Sequence, residues 1–439
     1  MRHTRRSFLK TSVAGGGFPT IVPSSVFGFD GQTPPNNRVS IGLIGCGSRS
    51  KAAYDYRDCP QSEVVAVCDP NREKRLVRAA DFGPGCANYN DFRELLARKD
   101  IDAVHIATGD HWHVPISLRA ARAGKDCYTE KPLGLTIEQC FATREIVDKH
   151  HRIFQYGTQN RSLAQLRLGL ELVLNGHIGE VKEIYAWCPP GLSGGSPTPE
   201  LPVPDGFDYD LWLGPAPCAP FCFDRCIAGG ARKGIFHIYD YAIGFIAGWG
   251  AHPIDQVQWW ADTLHLGIPT QYEGTGVVPT QGLYNTVTTF DLTCTYPSGL
   301  KLRFVDGQTA RQKKSIPNID ELTFDHGSLF LGERGWVAVS RGAWKVFPEK
   351  LFKNARNPGQ VRLKVSKSHP VNFVESIVAR EQPISDLKTA ISSDVICHLA
   401  DICIRTGRPI QWDPAKETIV GDAEAVAMMR RPMREPWTL

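Results

Sequence analysis

The sequence predicts an α/β chain built on two sheets of different kind: a parallel sheet wrapped by helices, followed by a mainly antiparallel one. Short apolar runs alternate with helical patterns up to residue 158. Beyond residue 180 the runs alternate polar and apolar residues instead, as strands with one wet face do. The length, 439 residues, exceeds what one small core fills and points to two domains.

In the first half the apolar runs are "RVSIGLIG", "EVVAVCD", "IDAVHIAT", "KDCYTE" and "RIFQYGT". Between them, "DFRELLAR" opens with Asp91 and Glu94 in capping-box spacing, and "TIEQCFATREIVDKHH" with Thr136 and Gln139. "HVPISLRAARAG" ends on Gly124, a helix stop. In the second half "EVKEIYAWC", "TVTTFDLTCTYP", "LKLRFVDG" and "GSLFLGERGWVAVS" read as strands. "HPVNFVESIVARE" and "TAISSDVICHLADICIRTG" read as late helices, and residues 189–220, rich in Pro and Gly, as a long loop.

Composition is that of a globular protein, 42% hydrophobic and 22% charged. No run of eighteen apolar residues marks a membrane span. The net charge of +4 comes from Arg2, Arg5, Arg6 and Lys10, with no acid before Asp30, so the body is neutral and nothing indicates a nucleic-acid partner. "TRRSFLK" at residues 4–10 has the pattern of a twin-arginine export signal. This divides the chain into a signal segment (1–28), a linker (29–37), a nucleotide-binding domain (38–158) and a second domain (159–439). It implies export by the twin-arginine translocase to the periplasm, with the signal cleaved or kept as an anchor. Thirteen cysteines cannot all pair. Buried free thiols are the plain reading; in "CAPFCFDRC", Cys218, Cys222 and Cys226 leave a disulfide open, and the spacing disfavours a metal cluster.

The first strand runs into "GLIGCGSRS", giving Gly45-x-Gly47-x-x-Ser50. A dinucleotide site needs the first glycine for a tight turn, the second for close approach of backbone to pyrophosphate, and a small third residue where helix meets strand. Phosphates would sit on the N-terminus of the following helix, beside Ser48 and Arg49. Asp69 ends the second strand 24 residues past Gly45, placed to bind ribose hydroxyls and repel a 2′-phosphate. That favours NAD; Arg72 and Lys74 keep NADP open. The alternative is a plain glycine turn with no nucleotide.

"ATGDHWHVPISLRAARAGKDCYTEKPL", following this turn, with "GTQNRS", "DLWLGPAP" and "GWGAHPID" further on, strongly resembles the Gfo/Idh/MocA family of oxidoreductases, in particular its exported members. The resemblance implies a Rossmann domain followed by an α/β domain with a large, open, mainly antiparallel sheet. It implies that Lys131 of "EKP" lies near the nicotinamide and the reacting hydroxyl, aimed by Pro132, with Glu130 fixing backbone or cofactor. Thr108, His111 and His113 lie in the segment that passes the cofactor, with Gly109 in place of the usual proline. Gln159 of "GTQNRS" is a candidate for substrate contact. His252 matches the family's proton-accepting histidine, with Lys131 the other candidate if burial or a second cation lowers it, but Gly248 stands where the histidine's paired aspartate is expected. Asp255, three residues beyond His252 and on the same helix face, is the candidate to orient it or to bind substrate.

"HIYDYAIGF" offers Tyr239, Asp240 and Tyr241, since carbohydrate sites combine carboxylates with aromatic faces; an aromatic core segment has the same pattern, and the same holds for Trp187, Trp212 and Trp249. The expected activity is NAD(P)-dependent hydride transfer from a secondary alcohol of a sugar, polyol or glycoside. One alternative is an NAD-retaining glycosidase working by transient oxidation and elimination. Another is a non-catalytic ligand-binding protein of the same fold. The resemblance also implies a dimer or tetramer.

Overall fold

The computed structural model describes residues 38–195, 200–226 and 234–439. The signal segment and linker expected at residues 1–37 lie outside the described residues. Residues 39–439 form one contact unit.

Six strands make the first sheet: β1 (Val39–Ile44), β2 (Ser62–Cys68), β3 (Ala87–Tyr89), β4 (Ala103–Ile106), β5 (Asp126–Thr129) and β6 (Phe154–Tyr156). Their order is β3-β2-β1-β4-β5-β6, all parallel. The chain winds outward from β1 in both directions, so the strand order reverses at the β1–β4 boundary, where a crevice opens at the carboxyl ends. Five of these strands coincide with the apolar runs; β3, three residues at the sheet edge, is too short to show a period.

The crossovers are a 3-10 helix (Ser48–Asp58), α1 (Arg72–Phe82), α2 (Phe92–Ala97), α3 (Asp110–Arg122) and α4 (Ile137–Lys149). Asp91 caps α2 by accepting from the Arg93 N–H at 2.8 Å. Thr136 caps α4 by accepting from the Gln139 N–H at 3.2 Å, while the Gln139 side chain accepts from the Leu135 N–H at 2.8 Å. Gly124 follows α3 at φ +77°, the left-handed geometry a helix stop uses.

After α5 (Ala164–Leu174) come β7 (Val181–Cys188), α6 (Ala251–Thr263), β8 (Gln271–Gly276), β9 (Phe290–Thr295), β10 (Lys301–Asp306), β11 (Gly327–Gly332), β12 (Gly335–Ser340) and β13 (Ala343–Phe347). Then follow α7 (His369–Ala379), α8 (Leu387–Thr406), β14 (Ile410–Asp413) and β15 (Thr418–Ile419). The second sheet has nine strands in the order β13-β12-β11-β7-β10-β9-β8-β14-β15, antiparallel except for the β7–β10 pair. Alternation is visible in β9, whose Phe290, Leu292 and Cys294 are buried while the residues between are half-buried.

Two late helices bind the sheets together. α8 is buried along almost its whole length and packs on α4, α6, β6 and β8. α7 returns to the first sheet, where Phe373, Val374 and Ile377 join Ile41, Leu43, Val64 and Tyr128 in one apolar cluster. All thirteen cysteines are free, so the disulfide considered for Cys218, Cys222 and Cys226 is not formed; the Cys226 thiol donates to the Cys222 carbonyl one turn back.

The turn after β1 depends on Gly45. Its φ is +93°, and a Cβ there would lie 2.4 Å from the Ala107 carbonyl oxygen. At Gly47 a Cβ would meet nothing within 4 Å. Urea unfolding of Gly45→Ala is expected to show a loss of about 2–4 kcal/mol, strain plus clash, whereas Gly47→Ala stays within about 0.5 kcal/mol of the parent. Equal losses would show that the turn is not fixed by the β4 backbone.

Candidate active site

A cavity of about 710 Å³ opens at the β1–β4 crevice. It runs from the glycine turn past the carboxyl ends of β2, β4 and β5 to the start of α6. Of the positions expected to contact cofactor, Gly45, Gly47, Ser48, Arg49, Asp69, Thr108, His111, His113, Glu130 and Lys131 all line it, as does His252.

At the β2 end, Asp69 is held rigidly: Oδ2 accepts from the Cys46 N–H and Oδ1 from the Asn71 N–H, each at 2.8 Å. One lone pair on each oxygen remains for a ligand. Burial raises its carboxyl, against the two amide hydrogen bonds. Lys74 lines the cavity beside it. Arg49 is ion-paired at the cavity wall: its Nε donates to Glu130 Oε1 at 2.8 Å.

Beneath β4, the His111 Nε2 bonds the Trp212 carbonyl at 3.0 Å and the His113 Nδ1 bonds the Pro132 carbonyl at 2.6 Å. A carbonyl only accepts, so each of these ring atoms carries the proton, leaving lone pairs on His111 Nδ1 and His113 Nε2. Burial pushes both imidazoles down to about 4, so they are neutral. Glycine at 109 has a packing reason: a Cβ would lie 2.6 Å from Ile235 Cδ1 and 2.9 Å from His111 Cε1.

Lys131 sits at the head of a cis Lys131–Pro132 peptide after β5, and its Nζ donates to the Gly248 carbonyl at 2.6 Å. The loop behind it is anchored on α8, where Asp394 accepts from the Gly134 N–H at 3.1 Å and from the Tyr156 hydroxyl at 2.5 Å. Burial lowers the Lys131 ammonium, with Arg49 and Arg341 adding to the shift and Glu130 and Asp110 opposing it. A Cβ at Gly248 would meet nothing within 4 Å, so the place of the expected aspartate is open space.

His252 Nε2 lies 2.9 Å from an Nη of Arg341. A guanidinium only donates, so this imidazole nitrogen accepts and Nδ1 carries the proton. Burial, then the positive charge of Arg341, holds the ring well below the ordinary histidine value, so it is neutral.

Four expected residues stand elsewhere. Asp255 shares a helix with His252 but is fully buried against Arg161, whose Nε lies 3.0 and 2.9 Å from its two oxygens. It neither orients His252 nor lines the cavity, because an ion pair so enclosed satisfies the carboxylate in the core. Tyr239 is clasped between the guanidinium groups of Arg405 and Arg431, each 3.5 Å from its ring centre, with its hydroxyl 3.3 Å from Asp401. Asp240 is exposed. Neither lines the cavity; Ile235 and Phe236, just before them, do. Gln159 stands behind Glu130, its Nε2 donating at 2.8 Å to both Glu130 Oε1 and the Tyr128 hydroxyl. Of the tryptophans, Trp212 and Trp249 line the cavity, whereas Trp187 is buried in the second sheet, stacked on Phe324.

Two residues that sequence reasoning passed over do line it. Asp110, the first residue of α3, is 3% exposed with Oδ2 unpartnered, and burial raises its carboxyl to about 7. Arg341 begins the tight turn from β12 to β13. An Arg-Gly pair between strands reads as a solvated hairpin, so no sequence signal marks it.

A family model described as the oxidoreductase family, NAD-binding Rossmann fold, matches residues 39–158. Its companion, the oxidoreductase family C-terminal alpha/beta domain, matches residues 174–320 and 360–439. An uncharacterised oxidoreductase of Rhizobium meliloti is 32% identical over 188 residues, 42% of this chain and 56% of that protein. A glycosyl hydrolase family 109 protein of Saccharopolyspora erythraea is 30% identical over 203 residues, 40% of this chain and 44% of that protein. The chain thus spans about half the length of these curated relatives. Among solved structures, the WlbA dehydrogenase of Chromobacterium violaceum, in complex with NADH and UDP-GlcNAcA, superposes with a TM-score of 0.62 at 16% identity, covering 87% of this chain and 98% of that one. A putative myo-inositol dehydrogenase of Sinorhizobium meliloti gives 0.56 at 18% identity, covering 85% and 99%. The chain belongs to the Gfo/Idh/MocA family of oxidoreductases, with an NAD-binding Rossmann domain and the family's C-terminal α/β domain.

Proposed function

We propose that this protein is an NAD-dependent oxidoreductase acting on a secondary alcohol of a sugar, polyol or glycoside. One observation carries the reading. Asp110 Oδ2, His111 Nδ1, His113 Nε2, Glu130 Oε2 and His252 Nδ1 are buried polar atoms without a hydrogen-bond partner, and their residues all line the same cavity. Unsatisfied buried polar atoms are costly in a protein interior, and a cluster of them around one cavity marks a place that a ligand completes.

The residues fit the dinucleotide. The open space at Gly47 admits pyrophosphate against the backbone N–H groups of Gly47 and Ser48. The remaining lone pairs of Asp69 suit the ribose hydroxyls and disfavour a 2′-phosphate, so NAD is preferred to NADP. The bound nicotinamide supplies the hydride acceptor. The chain supplies the proton chemistry. The His252 Nε2 lone pair is committed to Arg341, so His252 acts through Nδ1–H, donating to the substrate oxygen as negative charge develops there. The proton acceptor is Lys131: burial and two nearby guanidinium groups enlarge its neutral fraction, and Gly248 fixes its direction. Of the two candidate bases, this reading takes Lys131 rather than His252.

A second reading has its own support. Glycosyl hydrolase family 109 proteins of several bacteria match at 30–33% identity, and one relative, of Shewanella oneidensis, is an alpha-N-acetylgalactosaminidase. In that reading NAD stays bound while transient oxidation acidifies a neighbouring C–H and allows elimination. The arginine pair at Arg5 and Arg6 supports export by the twin-arginine route to the periplasm, where free NAD is scarce, which suits a retained cofactor.

The purified protein, given free NAD and a panel of sugars, polyols and aryl glycosides, is expected to accumulate reduced nicotinamide with at least one. Aryl release without net reduction would instead establish the closed redox cycle. Lys131→Met is expected to lower turnover by about 10²–10⁴-fold with melting unchanged; full activity in that variant would remove the proposed site.

Asp110 sets part of the Lys131 charge environment. Its folded carboxyl, at about 7, lies above the unfolded value of 3.8, so the folded state binds the proton more tightly and stability falls as pH rises between those values. Asp110→Asn removes this slope. The variant is expected to gain on the parent across that window, reaching about 2–4 kcal/mol above pH 7. Parallel pH profiles of melting temperature would show that Asp110 is not held protonated.

A further inference from the structure

The cavity has more fixed positive charge at its substrate end than its own residues balance. Arg341 projects from the β12–β13 turn beside His252. Its Nε donates to Asn160 Oδ1 at 3.1 Å and one Nη to His252 Nε2 at 2.9 Å. Both acceptors are neutral. A guanidinium has five N–H donors, and those left over meet no acceptor among the described residues. No carboxylate of the described residues lies within ion-pair distance of Arg341 or of Lys131, whose own Nζ bonds a backbone carbonyl. Arg49, by contrast, has its charge paired with Glu130 through Nε. Arg341 is exposed overall; partial burial and the charge of Arg49 lower its guanidinium, while the more distant Glu130 and Asp325 oppose the shift.

A cation held in place by two neutral side chains, facing a cavity, is arranged for an anion that arrives with the ligand. We propose that the substrate is an acidic sugar, a uronic or aldonic acid, whose carboxylate is seated on Arg341 while the carbon to be oxidised faces His252 and Lys131. This rests on the reading of the cavity as the substrate site. A carboxylate suits the place better than a phosphate ester. One planar fork with its remaining donors matches a planar monoanion, and no second unpaired guanidinium among the described cavity residues is present for the further charge and oxygens of a phosphate.

The test uses matched pairs that differ only in charge: D-glucuronate and D-glucuronamide, D-galacturonate and its amide, D-gluconate and its amide, with D-glucose 6-phosphate as a further arm. Binding to the full-length protein loaded with NADH is measured by calorimetry, and turnover with NAD is measured separately. At least one acid is expected to bind about 30-fold or more tightly than its amide, as a charge-assisted contact does. In Arg341→Met that ratio should collapse to near one, and Arg341→Lys should restore part of it. The ratio isolates charge from any disturbance of His252, which affects both members of a pair. No preference for acid in any pair, a ratio unchanged in Arg341→Met, or a stronger preference for the phosphate ester would each overturn the proposal. Arg341-dependent binding of an acid without reduced nicotinamide would uphold it and overturn the oxidoreductase reading instead.

Discussion

The hydrogen bond from Lys131 Nζ to the Gly248 carbonyl is the contact on which the site depends. It joins the loop after β5 to the segment that precedes α6, and so fixes the distance between two walls of the cavity. A neutral carbonyl orients the amine without neutralising it, as a carboxylate would. With a carboxylate in the open space at Gly248, the ammonium would be stabilised and Lys131 would be less able to accept a proton. Glycine there and lysine opposite make one chemical device, braced from behind by Asp394 on α8.

Around that contact the protein accepts local cost. Five buried polar atoms go unpaired, Asp110 is held near neutrality, and three histidines are kept uncharged among cations. Arg161 and Asp255, by contrast, are buried as a pair, and the contrast separates a carboxylate satisfied in the core from a histidine on the same helix that lines the cavity. His252 and Asp255 share a helix and look equivalent in one dimension. The first meets a cavity and an arginine from the far sheet; the second meets an arginine from the segment after β6.

What the sequence makes legible follows from how local each signal is. The parallel strands, the glycine turn and Asp69 announce themselves because each is fixed by neighbours a few residues away: apolar runs, a positive φ, the end of a strand. Lys131 is marked only by the family resemblance of its "EKP" segment, since a Glu-Lys pair alone reads as surface. The short edge strand β3 and strands such as β8, which carries two glycines, have too little period to be read. Arg341 is invisible for a different reason. Its role arises where a hairpin of the second sheet meets the start of α6, 89 residues away in sequence, and nothing local marks it. Tyr239 and Asp240 fail the other way: an aromatic and a carboxylate side by side imitate a sugar site, but Tyr239 is held by the arginines of α8 and the C-terminal segment and Asp240 is exposed.

The most direct test of the account is a crystal structure of the protein with NAD bound. The account predicts the adenosine ribose on Asp69, the pyrophosphate over Gly47 and Ser48, and the nicotinamide ring between the Thr108–Gly109 turn and the Lys131–His252 pair. A cofactor with its nicotinamide turned away from Lys131, or density outside this cavity, would contradict it.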